Sequence, residues 1–539
     1  MRKISLFSLF IFCCLHYLTA QVNDISYMSS GGKLRPLQAI MDIRHYTLSL
    51  NVDIQKQSID GFTIIDLVLS QQTDTLLFDL VHLLTVHSVA VDNRAGNFSR
   101  IGDSVFITGN GFKPGRHSIK INYGGNPPIA VRPPWQGGFT WTKDRSGNPW
   151  VVINCQLQGA KVYYPCKDHP SDEANEGADL YITVPKDLSV AGPGLLQGVQ
   201  KAKNNRSTWH WKTNYTISNY CIVFNIGKYT VARRTYTTVA GNKVPMEYYV
   251  LQEDSAKATG ILDMRERDTR VLEKYFGEYP WPKEKIGIAE VPNPGMEHQT
   301  MITYGGENFQ YVHYPNLDYS PNLYHEFTHE WWANKVTNKD WAHMWIQEGI
   351  TTYGEALFFK EIFGEDAYDS VMVRMRSRIQ NKKPVVQGEG LNMTEVYNGD
   401  IYSKGAFFMH TLRYVLGDSV FFPTLKEFVT SEQYTYNNFV VTDDVLNLFN
   451  KRSSKDLKPL FNFFLYTTNI LDFELQQRAP DTHYLSISNS PIPLPLDILT
   501  DTGIVHTTTP LAGKPFKIVS KTQPVIDPKG KYLKKVTIQ

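Results

Sequence analysis

The chain has 539 residues, of which 42% are hydrophobic and 20% charged, as in globular proteins with sizeable cores, and the length predicts about three domains. The formal net charge is +2, and Arg2 and Lys3 account for the excess. A near-neutral chain argues against nucleic acid or an anionic membrane as a partner.

The first twenty residues have the pattern of a secretory signal peptide. Two basic residues precede an apolar run that ends near Leu18, and the small residues Thr19 and Ala20 follow. Cleavage after Ala20 would start the mature chain at Gln21, which predicts a secreted or periplasmic protein. An uncleaved membrane anchor is the alternative, but the run is short for a membrane span. No other segment approaches 18 apolar residues, so we expect no membrane association after cleavage.

Few cysteines remain after such a cleavage. Cys13 and Cys14 leave with the signal peptide, and Cys155, Cys166 and Cys221 stay. This small, odd number excludes a disulfide framework and predicts buried thiols with at most one bridge.

The spacing of hydrophobic residues divides the rest of the chain into three regions. From about 40 to 230 apolar and polar residues alternate between turn signals, which is typical of short antiparallel strands. From about 250 to 467 the spacing is helical, and from 470 onward the sequence is proline-rich and β-branched. We therefore predict an α+β protein with a signal peptide (1–20), a β-rich N-terminal domain (21–232), a mainly helical domain (233–467) and a small C-terminal β-domain (468–539).

The segment HEFTH carries the first chemical signal. His325 and His329 are four residues apart, so on a helix both imidazoles lie on one face and can reach one metal ion. Ser320 and Pro321 form a plausible N-cap and first position, which places the pair inside a helix. Glu326 follows the first histidine, where a carboxylate can act as a general base.

A third ligand candidate lies downstream. Glu348 begins a second helical segment, and the residues between it and His329 are sufficient for an antiparallel return. Two histidines and one glutamate leave the fourth tetrahedral position open, as a catalytic zinc site requires. Glu355, two turns later, is a candidate hydrogen-bond partner for a ligand histidine, although a solvated helix face explains it equally well.

H-E-x-x-H with a glutamate after 18 residues resembles the gluzincin aminopeptidases, the family of aminopeptidase N and leukotriene A hydrolase. Further stretches are similar to family motifs and occur in the family's order between about 40 and 470. They are CQLQGAKVYYPCKDHPSDEA (155–174), PGMEHQT (294–300), MWIQEGITTYGE (344–355) and IYSKG (401–405). The resemblance implies a saddle-like N-terminal domain, a thermolysin-like zinc catalytic domain and a β-sandwich-like C-terminal domain, without the large helical domain that many relatives carry.

The resemblance also implies roles for individual residues around the metal. His325, His329 and Glu348 would bind one zinc ion, and Glu326 would be the general base. Tyr402, in the stretch IYSKG, would donate its hydroxyl to the oxyanion that forms in the transition state.

The resemblance further implies a subsite for a free N-terminus. Glu297 would bind the substrate's α-amino group, and Gln156, Gly295 and Met296 would line the same subsite. A carboxylate fixed close to the metal would leave only the first peptide bond in reach of it. We therefore expect peptide substrates with a free N-terminus.

Two residues depart from the family motif. The segment reads Pro294-Gly295-Met296-Glu297-His298, where relatives have Gly-x-Met-Glu-Asn. Since the glutamate is present, amine binding is expected to persist, whereas the side-chain preference of the first pocket is open.

The preferred interpretation is a zinc-dependent aminopeptidase. A zinc endopeptidase or an epoxide hydrolase on the same scaffold is an alternative, and a catalytically inactive binding protein is another. Inactive relatives usually lack the base, a ligand or the tyrosine, yet Glu326, Tyr402 and all three ligand candidates are present here. The sequence leaves the oligomeric state and the preferred N-terminal residue open.

Overall fold

The computed structural model describes residues 29–305, 312–314, 317–509 and 514–539. The predicted signal peptide, with Cys13 and Cys14, lies outside the described residues. No helix in the described part of the chain is both long and apolar enough to cross a membrane.

The N-terminal unit, residues 29–228, is built from strands that bury every second side chain. In the first strand Tyr46, Leu48, Leu50 and Val52 are buried between more exposed neighbours, as half-buried sheets require. A short helix α1 (Pro36–Ala39) precedes the strands. The strands are β1 (Met41–Asp53), β2 (Ser58–Leu69), β3 (Thr73–Asp79), β4 (Leu84–Val91), β5 (Arg94–Ile101), β6 (Ser104–Phe112), β7 (Gly115–Gly125), β8 (Gly138–Lys143), β9 (Pro149–Asn154), β10 (Ala178–Pro185), β11 (Ser189–Ala191), β12 (Leu195–Ala202), β13 (Arg206–Thr213) and β14 (Asn225–Gly227).

These strands form two sheets. The larger has the order β12-β13-β10-β1-β2-β7-β4-β5-β6-β3, and the smaller has the order β11-β14-β9-β8. β1 and β2 pair antiparallel from Met41↔Leu69 to Asp53↔Ser58, whereas β1 and β10 pair in parallel. The core between the sheets also takes in Met344 and Ile401 from the next unit, so the two units share buried surface.

The helical unit, residues 229–465, begins with a sheet of order β15-β16-β17-β19-β18. The predicted boundary after residue 232 falls inside β15. The strands are β15 (Tyr229–Thr237), β16 (Lys243–Leu251), β17 (Ile286–Val291), β18 (Gly295–Met296), β19 (Ile302–Gly305), β20 (Val312–Tyr314), β21 (Leu317–Tyr319), β22 (Thr337–Asn338) and β23 (Phe439–Val440). The helices are α2 (Ala258–Phe276), α3 (Pro321–Thr328), α4 (Trp345–Phe363), α5 (Glu365–Arg378), α6 (Met393–Val396), α7 (Asp400–Leu416), α8 (Asp418–Thr430), α9 (Thr442–Ser453) and α10 (Lys458–Leu465).

The order in which the elements of this unit pack determines where the helices with the zinc motif lie. β18 and β19 contact α3, α3 contacts α4, and α4 contacts both α5 and α7. α4 is buried almost all round over its first three turns, as expected of a helix in the middle of a large domain. α3 and α4 therefore lie between the sheet edge and the pair α5 and α7.

The C-terminal unit, residues 471–539, consists of short strands in two small sheets. Their orders are β28-β25-β24-β30 and β27-β26-β29. The strands are β24 (Leu471–Ala479), β25 (Thr482–Ile487), β26 (Pro495–Thr500), β27 (Gly503–Thr508), β28 (Phe516–Val519), β29 (Val525–Ile526) and β30 (Lys534–Ile538). Leu471, Phe473 and Tyr532 join the core of the helical unit, so this unit packs firmly on the helices.

The predicted fold class is confirmed: a β-rich N-terminal part, a helical part with the zinc motif and a C-terminal β part. The prediction about the cysteines also agrees with the structure. Cys155, Cys166 and Cys221 are buried free thiols.

Candidate active site

The two motif histidines lie at the end of a short helix. The Ser320 hydroxyl accepts a hydrogen bond from the Leu323 amide and Pro321 is the first residue of α3, as the sequence predicts. α3 ends at Thr328, however, and His329 is its C-cap. The helix is therefore shorter than predicted, and only His325 lies inside it.

Side-chain hydrogen bonds explain why the chain leaves the helix at this point. The Trp332 carbonyl accepts hydrogen bonds from the His329 ring Nδ1 at 2.8 Å and from the Thr351 hydroxyl at 3.4 Å. These side-chain donors take the place of the backbone amide that would continue the helix. Ala333 has a φ of +145°, which no helix tolerates. His329 keeps a helical backbone (φ −61°), and its ring still lies beside that of His325.

Three ligand atoms converge. His325 Nε2 and His329 Nε2 are 3.1 Å apart, and Glu348 Oε2 lies 3.4 Å and 3.3 Å from them. Around a tetrahedral ion with bonds of about 2.0–2.1 Å, neighbouring ligand atoms are about 3.3 Å apart. The three residues are the one such group of possible metal ligands in the described part of the chain.

The other ring nitrogens fix the orientation of both imidazoles. His325 Nδ1 lies 2.9 Å from Glu355 Oε1, and His329 Nδ1 donates to the Trp332 carbonyl. With the protons on Nδ1, both Nε2 lone pairs point toward Glu348, as metal ligands require. The predicted partnership between Glu355 and a ligand histidine is thus present.

This donor set fits a single zinc ion. Two imidazole nitrogens and one carboxylate oxygen are typical of catalytic zinc, and they leave a fourth position open. Glu348 Oε2 is buried and has no hydrogen-bond donor, and a cation satisfies such an atom. The predicted zinc cofactor is therefore supported by the chemistry of the ligands.

All nine site residues predicted from the sequence line one cleft with a volume of about 360 Å³. They are Gln156, Gly295, Met296, Glu297, His325, Glu326, His329, Glu348 and Tyr402.

In the walls of this cleft, Glu326 is buried and Tyr402 is half-buried. Burial raises the pKa of the Glu326 carboxyl to about 8, and the adjacent His325 imidazole acts in the opposite direction. The Tyr402 ring stacks on His325 at 6.0 Å, and its hydroxyl is 2.8 Å from that of Tyr397. Burial also raises the pKa of the Tyr402 hydroxyl, so it carries a proton that it can donate.

The carboxylate of Glu297 is held by groups from three separate segments. Its Oε1 accepts hydrogen bonds from the amide of Gln156, the hydroxyl of Tyr220 at 3.1 Å and the amide of Gln347 at 3.3 Å. Asn334 donates to its backbone carbonyl at 2.8 Å. No Lys or Arg among the described residues forms an ion pair with Glu297, although its carboxylate is buried against the cleft. The Glu297 carboxylate therefore has no Lys or Arg partner in the described part of the chain.

The backbone beside Glu297 requires glycine. Gly295 has a φ of +126°, and a Cβ there would lie 2.2 Å from the Thr303 carbonyl oxygen. Gly295 and Met296 form β18, which pairs antiparallel with Tyr304 and Thr303 at the edge of the sheet. This pairing brings the strand against the cleft and fixes the start of Glu297.

The two departures from the family motif lie in different surroundings. Pro294 lines the cleft, and its carbonyl accepts from the Asn322 amide. His298 is buried, does not line the cleft, and has no hydrogen-bond partner for either ring nitrogen. Burial lowers the pKa of its imidazole to about 3, so the ring is neutral.

Several residues of the site were not identified from the sequence. Tyr220 and Asn334 lie outside the family-like motifs, and Gln347 lies within the stretch around Glu348. Of these three residues, only Gln347 has a sequence feature that points to the site, because it directly precedes the predicted ligand Glu348. The cleft is also lined by Trp135 and Arg378, neither of which has a local pattern.

Two family matches cover most of the chain. Residues 262–464 match the Peptidase family M1 domain, and residues 43–221 match the Peptidase M1 N-terminal domain. The matched segments contain the metal triad in one case and Gln156 in the other.

Similar proteins agree with these matches. The chain is 25% identical to leucine aminopeptidase 2 of Vanderwaltozyma polyspora, covering 80% of this chain and 64% of that protein. It is 24% identical to leukotriene A-4 hydrolase of Xenopus laevis, covering 60% of this chain and 52% of that protein. The chain thus spans less than two thirds of the length of either relative.

The fold is similar to that of an M1 zinc metallopeptidase from Deinococcus radiodurans. That crystal structure superposes with a TM-score of 0.68 at 22% identity, over 82% of this chain and 95% of that one. Two family matches, the similar fold and the metal triad therefore agree with one another. On these grounds, the chain belongs to peptidase family M1.

Proposed function

We propose that the protein is a zinc-dependent aminopeptidase that removes the N-terminal residue of peptides. His325, His329 and Glu348 would hold one zinc ion. When bound there, zinc supplies a Lewis acid that activates water and polarises a carbonyl group. The remaining steps belong to side chains of this chain.

Glu326 acts as the general base. Its carboxylate lines the cleft beside His325, where it accepts a proton from the attacking water and returns it to the leaving amine. The burial of Glu326 keeps bulk water from competing for this proton transfer.

Tyr402 stabilises the negative charge that develops on the carbonyl oxygen. Its hydroxyl keeps its proton because it is buried beside Glu348, and its contact with Tyr397 fixes its orientation. A donor already held in place loses little by reorganisation during the reaction.

Glu297 limits cleavage to the first peptide bond. Its buried carboxylate receives hydrogen bonds from neutral donors only, so a substrate ammonium group would supply the missing positive charge. Gln156, Gly295 and Met296 line the cleft next to it and enclose the first residue. This buried carboxylate beside a metal triad is the observation that carries the proposal.

A panel of aminoacyl fluorogenic amides tests the activity directly. We expect hydrolysis that a zinc chelator abolishes and that added zinc restores. A panel without hydrolysis by the zinc-loaded protein would contradict the proposal and favour an inactive binding protein.

We also propose that the protein is exported and that residues 1–20 are removed. The basic, apolar and small residues at the N-terminus support this proposal. N-terminal sequencing of the protein from its host should give Gln21 as the first residue, and a chain that starts at Met1 would contradict export by this route.

A further inference from the structure

Arg378 introduces a positive charge into a cleft whose other charged residues are acids and metal-binding histidines. The lining acids are Glu297, Glu326, Glu348 and Glu355, and Arg378 is the one Lys or Arg among the described residues that line the cleft. Glu355 contacts His325, and Glu348 belongs to the triad. Glu348 and Glu355 are therefore already engaged.

The guanidinium of Arg378 has no acidic partner in the described part of the chain, and its side chain is exposed. An arginine keeps its charge at all physiological pH values and presents a planar fork that suits a carboxylate. Arg378 thus presents an unpaired carboxylate-binding group to the cleft.

The backbone that carries Arg378 is firmly fixed. Arg378 is the last residue of α5, where a cation is favoured by the helix dipole. Two and three residues further on, the amides of Gln380 and Asn381 donate to the carboxylate of Asp400 at 2.9 Å and 2.6 Å. Asp400 is the first residue of α7, two positions before Tyr402. The end of α5 is thereby tied to the helix that carries the oxyanion donor.

Glu297 and Arg378 reach the same cleft from different elements. Glu297 follows β18 at the sheet edge, whereas Arg378 ends α5, and α3 and α4 pack between these elements. For a peptide bound with its ammonium group at Glu297 and its first peptide bond at the triad, Arg378 is the one Lys or Arg of the described cleft lining that its C-terminal carboxylate could reach.

We propose that Arg378 binds the C-terminal carboxylate of short peptides, so that the preferred substrates are dipeptides and tripeptides with both termini free. This inference rests on the proposed aminopeptidase function. Arg378 is a specificity residue: it contacts the far end of the substrate and takes no part in proton transfer.

The test compares tripeptides with a free C-terminal carboxylate against the same tripeptides with a C-terminal amide. For the wild type we expect kcat/KM to be about tenfold higher with the free acid, the size of one charge-assisted hydrogen-bonded pair. In Arg378→Ala the ratio should fall to about one, and Arg378→Lys should retain part of it, because lysine keeps the charge but not the fork.

Arg374→Ala is the matched control, since Arg374 is exposed, lies one turn earlier on α5 and does not line the cleft. It should leave the ratio unchanged. A hexapeptide should show no advantage for the free acid, because its carboxylate lies beyond the reach of Arg378.

Two results would overturn the inference while leaving the aminopeptidase function intact. One is a wild type that cleaves free acids and amides of dipeptides and tripeptides with equal kcat/KM. The other is a free-acid advantage that persists in Arg378→Ala. Failure to cleave any of these peptides would instead contradict the proposed function.

Discussion

The metal triad and the Glu297 subsite share one cleft, yet they are assembled in different ways. The triad comes from one stretch, residues 325–348, within a single unit. Glu297 is held by Gln156, Tyr220 and Gln347, which lie 141, 77 and 50 residues away along the chain.

This difference separates the residues that would carry out hydrolysis from those that would select the peptide bond to be cut. The triad and Glu326 form wherever α3 and α4 pack correctly. The proposed amine subsite forms only when the N-terminal unit, which carries Gln156 and Tyr220, is docked on the helical unit. Substitutions near the metal should therefore lower kcat, whereas those around Glu297 should raise KM and weaken the selection of free N-termini.

Tyr402→Phe should have the largest effect. It removes the proposed oxyanion donor and keeps the ring on His325, so we expect kcat to fall by about 10²–10³-fold with bound zinc unchanged. Steady-state kinetics on an aminoacyl amide, with the metal content measured in the same sample, checks this. A loss of less than about threefold would remove Tyr402 from the catalytic residues.

Glu355→Gln should weaken zinc binding by about 10–100-fold, because its carboxylate orients His325 through Nδ1. Competition with a chelator of known affinity measures this. Glu361→Gln is the control on the same helix, since Glu361 pairs with Lys274 and does not line the cleft. Equal zinc affinity in both variants would contradict the assigned role of Glu355.

Tyr220→Phe should have the smallest effect. It removes one of the hydrogen bonds to Glu297, at 3.1 Å, and leaves the metal triad untouched. We expect KM for substrates with a free amine to rise by about five- to tenfold and kcat to change little. A fall in kcat at constant KM would instead place Tyr220 with the groups that act in the transition state.

The same contrast explains how much could be predicted from the sequence. His325, His329 and Glu348 follow from helical spacing and a short return, and Ser320 signalled the start of α3. The sequence pattern does not predict the early end of that helix, because that end depends on the hydrogen bond between the Trp332 carbonyl and the His329 ring. Such a contact has no trace in the hydrophobic period.

The residues around Glu297 were harder to predict for the same physical reason. Family resemblance supplied Glu297 and Gln156, but Tyr220 and Asn334 act through contacts that exist only in the folded chain. Arg378 and Trp135 reach the cleft from the end of a helix and from a loop, positions that no periodic pattern marks. The fold class, by contrast, followed from the change of hydrophobic period near residue 250.

The central claim is that Glu297 restricts hydrolysis at this zinc site to the peptide bond that follows a free N-terminal residue. The most direct test is the ratio of kcat/KM for an aminoacyl amide to that for its N-acetylated form, in the wild type and in Glu297→Gln. We predict a wild-type ratio of about 10² and a ratio below about ten in the variant, since the ammonium group loses its charged partner. Equal hydrolysis of the free and acetylated substrates by the wild type would contradict the account and favour an endopeptidase.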